Sequence, residues 1–311
     1  MQKIIDLHTG REASFCAPLV LCLGTFDGVH LGHRALIEET LKQKALLNDQ
    51  YPDILGGAWC FSQPPAGFLF NKAIPRITDL DEKLELFATA GLDVAVVGDF
   101  SVLRSLSASE FVENVLKRDC RCKKSVCGFN FRFGKNALGK PEDLASIEHG
   151  NVLVPPVKID DETISSSAIR QYIESGNVEK GSAMLGRNYS FTLPVVHGKT
   201  LGRKLGAPTL NQTIPEGVLI PSFGVYATRA TVGGKTYCAV TNIGTNPTVS
   251  EDKTVKCETH ILGFSGDIYG ETVKTEFLKK LRGEMKFSGK DDLAAAIAAD
   301  IRAAKQYFDL D

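Results

Sequence analysis

The stretch Leu21–His33, LCLGTFDGVHLGH, decides how the first half of this chain is read. The apolar run Leu19–Leu23 is short and stops at Gly24, as a buried strand does, while from Arg34 the segment RALIEETLKQKALL carries apolar residues at helical spacing. A strand passing through a glycine-rich turn into a helix places His30 and His33 at the helix start. A helix N-terminus presents unpaired N–H groups and a partial positive charge, a setting suited to phosphate. Gly24, Gly28 and Gly32 let the backbone come close to such a ligand, and imidazoles there can donate hydrogen bonds as negative charge builds on it. Two blander readings compete. A pair of satisfied core histidines does not account for three glycines and Asp27 gathered at one turn, and a zinc site of H-x-x-H spacing lacks a third ligand nearby.

Strand-like and helix-like segments alternate on either side of this turn. GGAWCF reads as a strand, DEKLELFATAG as a helix, DVAVVGDF as a strand, SASEFVENVLKRD as a helix and SVCGFNFRFG as a strand. Alternation of this kind predicts an α/β domain with a Rossmann-like parallel sheet, whose ligands gather at the carboxyl ends of the strands. After the helical stretches SSAIRQYIESG and NVEKGSAMLG the texture changes at Tyr189 to short β-rich runs, and Gly233-Gly234 between two of them predicts a hairpin turn. A small antiparallel β-barrel closed by a helix near DDLAAAIAADIRAAKQYF is expected, with domains over residues 1–185 and 186–311.

At 311 residues, with 43% hydrophobic content, the chain has room for two such cores. A net charge of -1 and the lack of a dense basic cluster interleaved with aromatics argue against nucleic acid as a partner. No apolar run has signal-peptide or membrane-span character, so a cytoplasmic protein with no membrane partner is expected. Nothing in the sequence identifies a protein partner. The eight cysteines have no framework spacing, and several lie in strand-like runs as small hydrophobes.

The string GTFDGVHLGH resembles the adenylyl-transfer motif of bifunctional riboflavin kinase/FAD synthetases, a variant of the H-x-G-H element of nucleotidyltransferases. Three further segments of the first half bear on the resemblance. GFNFRFGKNALG, Gly128 to Gly139, is similar to the family's G-F-(D/N)-F-x-F-G-K block and implies nucleotide contacts from Asn130 and Lys135. A buried aromatic strand end would account for Phe129, Phe131 and Phe133. ISSSAIR, Ile164 to Arg170, resembles a segment in which hydroxyls cap a helix and an arginine faces the triphosphate, which implies roles for Ser166 and Arg170. FSQPPAGFL departs from the family's F-x-P-H-P, having Gln63-Pro64-Pro65 and no histidine. The resemblance further implies that Gly24, Phe26, Asp27 and Gly28 bind nucleotide, with Asp27 acting through magnesium or by ordering the turn.

In the second half, HGKTLGRKLGAPTLNQTIP resembles the riboflavin kinase motif G-R-x-L-G-(F)-P-T-x-N. It is not a P-loop, since neither G-K-T string has a glycine five residues before it. The resemblance implies phosphate contacts from Gly202, Arg203 and Gly206, magnesium ligands Thr209 and Asn211, and Glu258 of CETHILG as the base that takes the proton of the riboflavin 5′-hydroxyl. NIGTNPTV, beginning at Asn242, and LRGEMKF, with Arg282 as a flavin or phosphate contact, complete it. Ala207, Leu210 and Gly263 depart from the usual phenylalanine, small residue and aspartate. The function implied is phosphorylation of riboflavin to FMN and adenylylation of FMN to FAD, with ATP as co-substrate and Mg2+ as the metal. A monofunctional enzyme and a non-catalytic flavin-binding protein are the alternatives.

Overall fold

A computed structural model of the chain describes residues 3–6, 17–61, 74–197, 207–245 and 255–310. It divides into two compact units, Met1–Ser166 and Ser167–Asp311.

The first unit is built on a six-stranded parallel sheet of β1 (Lys3–Asp6), β2 (Leu19–Leu23), β3 (Leu55–Phe61), β4 (Val94–Gly98), β5 (Cys122–Gly128) and β6 (Asn151–Val154), in the order β1-β4-β3-β2-β5-β6. Residues alternate between the two faces of a strand. Leu19, Leu21 and Leu23 of β2 accordingly join a core with Phe111, Val115 and Leu116, while Val20 and Cys22 join a second core with Ile37 and Phe87. Both faces are therefore covered, and β2 is a continuous apolar run because every one of its residues is buried. Helices α1 (Leu31–Leu47) and α2 (Leu80–Thr89) supply the second core. The helix expected over SASEFVENVLKRD starts as an α-turn at Ala108–Glu110 and continues as a π-helix over Phe111–Asp119. The Cys120 N–H reaches back to the carbonyl of Val115, five residues earlier, and Phe111, Val112, Val115 and Leu116 are all buried.

The chain moves from β2 outward through β3 and β4 on one side, then crosses to β5 and β6 on the other. The strand order thus reverses beside β2, and in an open parallel sheet such a reversal leaves a crevice at the carboxyl ends. The loops that follow β2 and β5, Gly24–His30 and Phe129–Lys135, flank that crevice. A two-stranded hairpin, β7 (Lys158–Ile159) with β8 (Glu162–Thr163), leads out of the unit.

The second unit begins with helices α3 (Ser166–Ser175) and α4 (Val178–Leu185). A closed antiparallel barrel follows, of β9 (Tyr189–Val196), β10 (Leu210–Thr213), β11 (Gly224–Val232), β12 (Lys235–Thr245), β13 (Val255–Ile261) and β14 (Thr272–Gly283), in the order β10-β13-β12-β11-β14-β9. Apart from Ser166 both helices fall in this unit, because α4 packs on β9 and β14. Gly233 and Gly234 have φ of +52° and +79° and make the expected hairpin turn. The barrel interior is partly polar: the hydroxyls of Thr228, Thr241 and Thr259 form a chain at 2.7 and 2.8 Å. Gln212 donates to the carbonyls of Leu193 and Val273 and accepts from Thr275, so this buried amide is satisfied. Helix α5 (Lys290–Tyr307) covers Val225 and Val240 with Ile301 and Ala304.

Candidate active sites

The turn after β2 is strained, and its own side chains hold it. Phe26 and Val29 have φ of +51° and +41°, a region that costs a bulky or β-branched residue about 1–3 kcal/mol. Both side chains are fully buried in the core of α1 and α2, and Phe26 packs edge-on to Phe87 at 5.2 Å. Asp27 is also buried, and its Oδ1 accepts from the backbone N–H groups of Ile77 and Thr78 at 3.0 and 3.3 Å. Thr78 Oγ1 accepts from the Gly28 N–H at 3.1 Å, and Ser166 Oγ donates to the Asp27 carbonyl at 2.9 Å. Of the two roles open to Asp27, this geometry supports ordering of the turn.

His30 is the N-cap of α1, and its Nδ1 accepts from the His33 N–H at 3.3 Å. In return, His33 Nδ1 accepts from the His30 N–H at 3.3 Å. The rings stack with centroids 3.6 Å apart. A Cβ on Gly32 would approach the His30 ring to 3.2 Å, so the bare backbone there gives the ring its place. This reciprocal cap fixes chemistry as well as shape. Each Nδ1 offers a lone pair to a backbone N–H, which leaves Nε2 as the ring nitrogen that can donate. The pKa of His33 is held well below the usual histidine range by burial first, then by His30 and by Lys83. Although part of its surface reaches solvent, protein surrounds the ring closely. Two N–H donors, oriented by the helix start they cap, suit phosphate oxygens.

On the other side of the crevice Asn130 is exposed just beyond β5, and Lys135 is exposed in a loop where Gly134, Asn136 and Ala137 all have positive φ. The alternative of a buried aromatic strand end describes Phe133 and the half-buried Phe131. Phe129 departs from it, with 46% of its surface exposed. Arg170 is half-buried on α3, in the second unit.

In the barrel, strand register brings four of the sequence-predicted residues onto one rung. Asn211 of β10 pairs with Glu258 of β13, Glu258 with Asn242 of β12, and beyond Val225 of β11 lies Arg282 of β14. Residues paired across neighbouring strands project to the same face. Asn211 Nδ2 donates to the Thr209 carbonyl at 3.4 Å, and the amide Oδ1 of Asn211 and the hydroxyl of Thr209 are hard oxygen donors. That donor set fits magnesium, which prefers oxygens and completes its shell with water and substrate phosphates. Both residues line a cleft of about 370 Å3 together with Phe264, Asp267 and Tyr269. The pKa of Glu258 is raised by burial, with Lys256 pulling in the opposite direction. Arg282, expected as a flavin or phosphate contact, directs Nε and Nη2 to the two carboxylate oxygens of Asp300 on α5, each at 2.7 Å. Its fork therefore fastens β14 to the closing helix. Gly202, Arg203, Gly206 and the Gln63-Pro64-Pro65 loop lie outside the described residues.

The family departures in the barrel are accommodated locally. Ala207 and Leu210 are buried, and Gly263 sits at φ +67° in the turn after β13, where an aspartate would be strained. The thiols of Cys22, Cys122 and Cys257 are pushed up to about 12 by burial, as expected of structural cysteines.

Comparison with known proteins matches residues 13–168 to the FAD synthetase family model and residues 185–308 to the riboflavin kinase model. A bifunctional riboflavin kinase/FMN adenylyltransferase of Listeria monocytogenes is 35% identical over 93% of this chain and 92% of its own length. The chain belongs to the bifunctional riboflavin kinase/FMN adenylyltransferase family. The family member of Escherichia coli K12 is 34% identical over 94% of this chain and 93% of its own. A crystal structure titled as a macrolide-efflux protein of Streptococcus pneumoniae superposes with a TM-score of 0.85 at 30% identity, covering 97% of this chain and 98% of that one. It shares the two-part fold of this family member. No helix among the described residues is long and apolar enough to cross a membrane.

The sequence reading missed Lys83. It is 5% exposed, and its ammonium donates to the carbonyls of Thr25 at 3.2 Å and Phe61 at 3.1 Å. In DEKLELF it occupies a charged position of an ordinary amphipathic helix, and nothing in the spacing distinguishes it from a solvated lysine.

Proposed function

We propose that this chain makes FMN from riboflavin and ATP in its barrel, and FAD from FMN and ATP at the turn after β2. Family membership over nearly the whole chain carries this reading, and the chemistry of the two sites supports it. The functional division we assign is 1–185 for adenylyl transfer and 186–311 for the kinase.

In the adenylyl-transfer half a phosphate oxygen of FMN attacks the α-phosphorus of ATP, the new P–O bond forms, and pyrophosphate leaves. A phosphomonoester is already largely ionised near neutral pH, so no base has to remove a proton. Positioning and neutralisation of charge are what such a transfer requires. The Nε2–H groups of His30 and His33 donate to the phosphate oxygens. Gly24, Phe26, Asp27 and Gly28 shape the turn, and Asn130, Lys135 and Ser166 complete the nucleotide site. The role of Arg170 on the triphosphate rests on the resemblance of I-S-S-S-A-I-R alone.

In the barrel the nucleophile is an alcohol. Glu258 takes the proton of the riboflavin 5′-hydroxyl as its oxygen attacks the γ-phosphorus of ATP and ADP departs. Thr209 and Asn211 would hold magnesium, which neutralises phosphate charge when bound. Gly202, Arg203, Gly206 and Asn242 belong to this site by resemblance; the Arg282–Asp300 pair supports a structural part for Arg282. We assign the enzyme to the cytoplasm, with neither nucleic acid nor membrane as partner, in keeping with its net charge of -1. Incubating the chain with riboflavin, ATP and Mg2+ and separating the flavins tests the whole reading. FMN should form first and FAD after it, with ADP and pyrophosphate as co-products. FMN that accumulates without FAD, even when FMN itself is the substrate, would remove adenylyl transfer from the assignment.

A further inference from the structure

Lys83 is a buried cation with an unusual set of partners. Its ammonium joins the carbonyl of Thr25, in the turn after β2, to that of Phe61, the last residue of β3. It forms no ion pair with a carboxylate among the described residues. A lysine that is only 5% exposed ordinarily acquires a counter-charge or loses its proton, because desolvating an ammonium without compensation is costly. Two carbonyl dipoles satisfy two of its three N–H groups without cancelling its charge. The anchor points are themselves informative. Both lie at the carboxyl ends of adjacent parallel strands, where the fold gathers ligands. One is the residue directly before Phe26, whose ring packs 4.9 Å from His33.

Resting on the adenylyl-transfer reading above, we propose that Lys83 is a positioning residue of that site: a fixed buried cation beneath the phosphate-binding turn, whose missing counter-charge is the polyphosphate of the bound nucleotide. Its low-dielectric setting makes the charge felt over a longer range than a surface lysine could achieve. After burial and His30, it is also among the causes that hold the His33 pKa low. A neutral imidazole donates through Nε2 while accepting through Nδ1, so the same ammonium serves both the anion and the helix cap that orients its donors. Lys83 does not touch the reacting atoms in this account; it acts through the turn and through the field.

The test compares Lys83→Met, Lys83→Gln and Lys83→Arg in the full chain, with thermal unfolding and circular dichroism of the same preparation reporting on folding and riboflavin kinase activity reporting on the barrel. Calorimetric titration with magnesium pyrophosphate reads anion affinity independently of turnover. Loss of the charge in Lys83→Met and Lys83→Gln should weaken pyrophosphate binding and lower kcat/KM for ATP in FAD formation by about tenfold or more, the effect of one charge-assisted contact. Lys83→Arg should recover most of the loss. If Lys83→Met does not fold, the contrast between Gln and Arg decides, since glutamine keeps a donor for the carbonyls without the charge. Wild-type pyrophosphate affinity in Lys83→Gln with only a lowered Tm, or an equal defect in folded Lys83→Arg and Lys83→Gln, would overturn the proposal in favour of a strand-end tie. Failure of the wild-type chain to form FAD from FMN would instead strike the functional reading, and the pyrophosphate titration would still judge Lys83.

Discussion

At the turn after β2 the candidate phosphate site is lined by two histidines whose Nδ1 atoms are engaged in their own reciprocal helix cap. On the outer rung of the barrel the corresponding chemistry falls to Glu258, a carboxylate whose affinity for a proton is raised by burial. The two units thus prepare opposite kinds of group, donors that need no titration and a base that must titrate. The difference follows the nucleophile. A phosphate brings its own negative charge and asks to be positioned, whereas an alcohol must lose a proton during attack.

The largest effect should come from removing the base. Glu258→Gln is expected to cut FMN formation by about 10²–10⁴-fold while FAD formation from supplied FMN stays at wild-type level. A sign check on stability adds a second readout. The folded-state pKa of Glu258 is raised, so its stabilising contribution is present below the unfolded carboxylate pKa and is lost as pH rises through the folded value. Above that folded value the ionised side chain is a burden on the fold, and there Glu258→Gln should unfold at a higher Tm than wild type. Lower activity with a lower Tm would mean that Glu258 is structural and that the contrast between the units fails. Kinase activity of the wild type should also fall with acidification from a higher pH than an ordinary glutamate would impose.

Next in size is the histidine pair. His33→Ala should reduce FAD formation by about 10²–10³-fold, the usual cost of an oriented donor, with the kinase unaffected. His30 allows its two jobs to be separated. Asparagine can accept from the His33 N–H as an N-cap but lacks the Nε2–H donor, so His30→Asn should lose activity and keep its Tm, whereas His30→Ala should lose both, with about 1 kcal/mol of stability gone. If His30→Asn retained full FAD synthesis, the imidazoles would be cap residues and nothing more. The lowered pKa of His33 carries the opposite sign to that of Glu258. Its contribution to stability is present above the ordinary histidine pKa and is lost as pH falls toward the depressed folded value.

Sequence alone made the local geometry of both candidate sites legible, because their residues sit in short contiguous strings whose local geometry is almost self-sufficient. H-L-G-H on a helix start is a complete reciprocal cap, and P-T-L-N places Thr209 and Asn211 two residues apart at the start of β10. The periodicity of β2, β3, β4 and α1 was equally plain, since fully buried parallel strands are unbroken apolar runs. What escaped was set by partners distant in the chain. Among the described residues strand β1 pairs with β4 alone, and the four-residue β10, with Gln212 buried inside the barrel, is defined as a strand by β9 and β13 on either side of it. Lys83 looks like a surface charge until the carbonyls of Thr25 and Phe61 converge on it. Arg282 shows the same limit from the other side: a basic residue near a flavin motif suggested a ligand contact, and its bidentate partner, Asp300, lies 18 residues further on in a helix that only the fold brings back.

That pairing supplies a third prediction, smaller than the first two. Arg282→Ala and Asp300→Ala should each lower the stability of the barrel by about 1–3 kcal/mol, and the double substitution should cost clearly less than their sum. The kinase KM for riboflavin and for ATP should change little in whatever remains folded. A KM raised tenfold or more by Arg282→Ala but not by Asp300→Ala would return Arg282 to the ligand site and weaken the view that α5 is fastened by this fork.

The smallest effect is expected at Asp27, and it bears directly on why the first unit needs no titrating carboxylate. The Oδ1 of Asp27 holds two backbone N–H groups, and an asparagine can offer an oxygen in the same place. Asp27→Asn should therefore keep FAD formation within about threefold of wild type, because the two hydrogen bonds that order the turn survive. Asp27→Ala leaves both N–H groups buried without their acceptor and should lower stability by about 1–3 kcal/mol, with FAD synthesis falling as the turn loosens. Should Asp27→Asn instead abolish FAD formation with an unchanged Tm, the negative charge would be what matters, and rescue by raised Mg2+ would trace it to the metal. In that event the first unit would rely on a buried carboxylate as the barrel does, and the contrast between the units would come down to what each carboxylate holds: a cation in the first, a proton in the second.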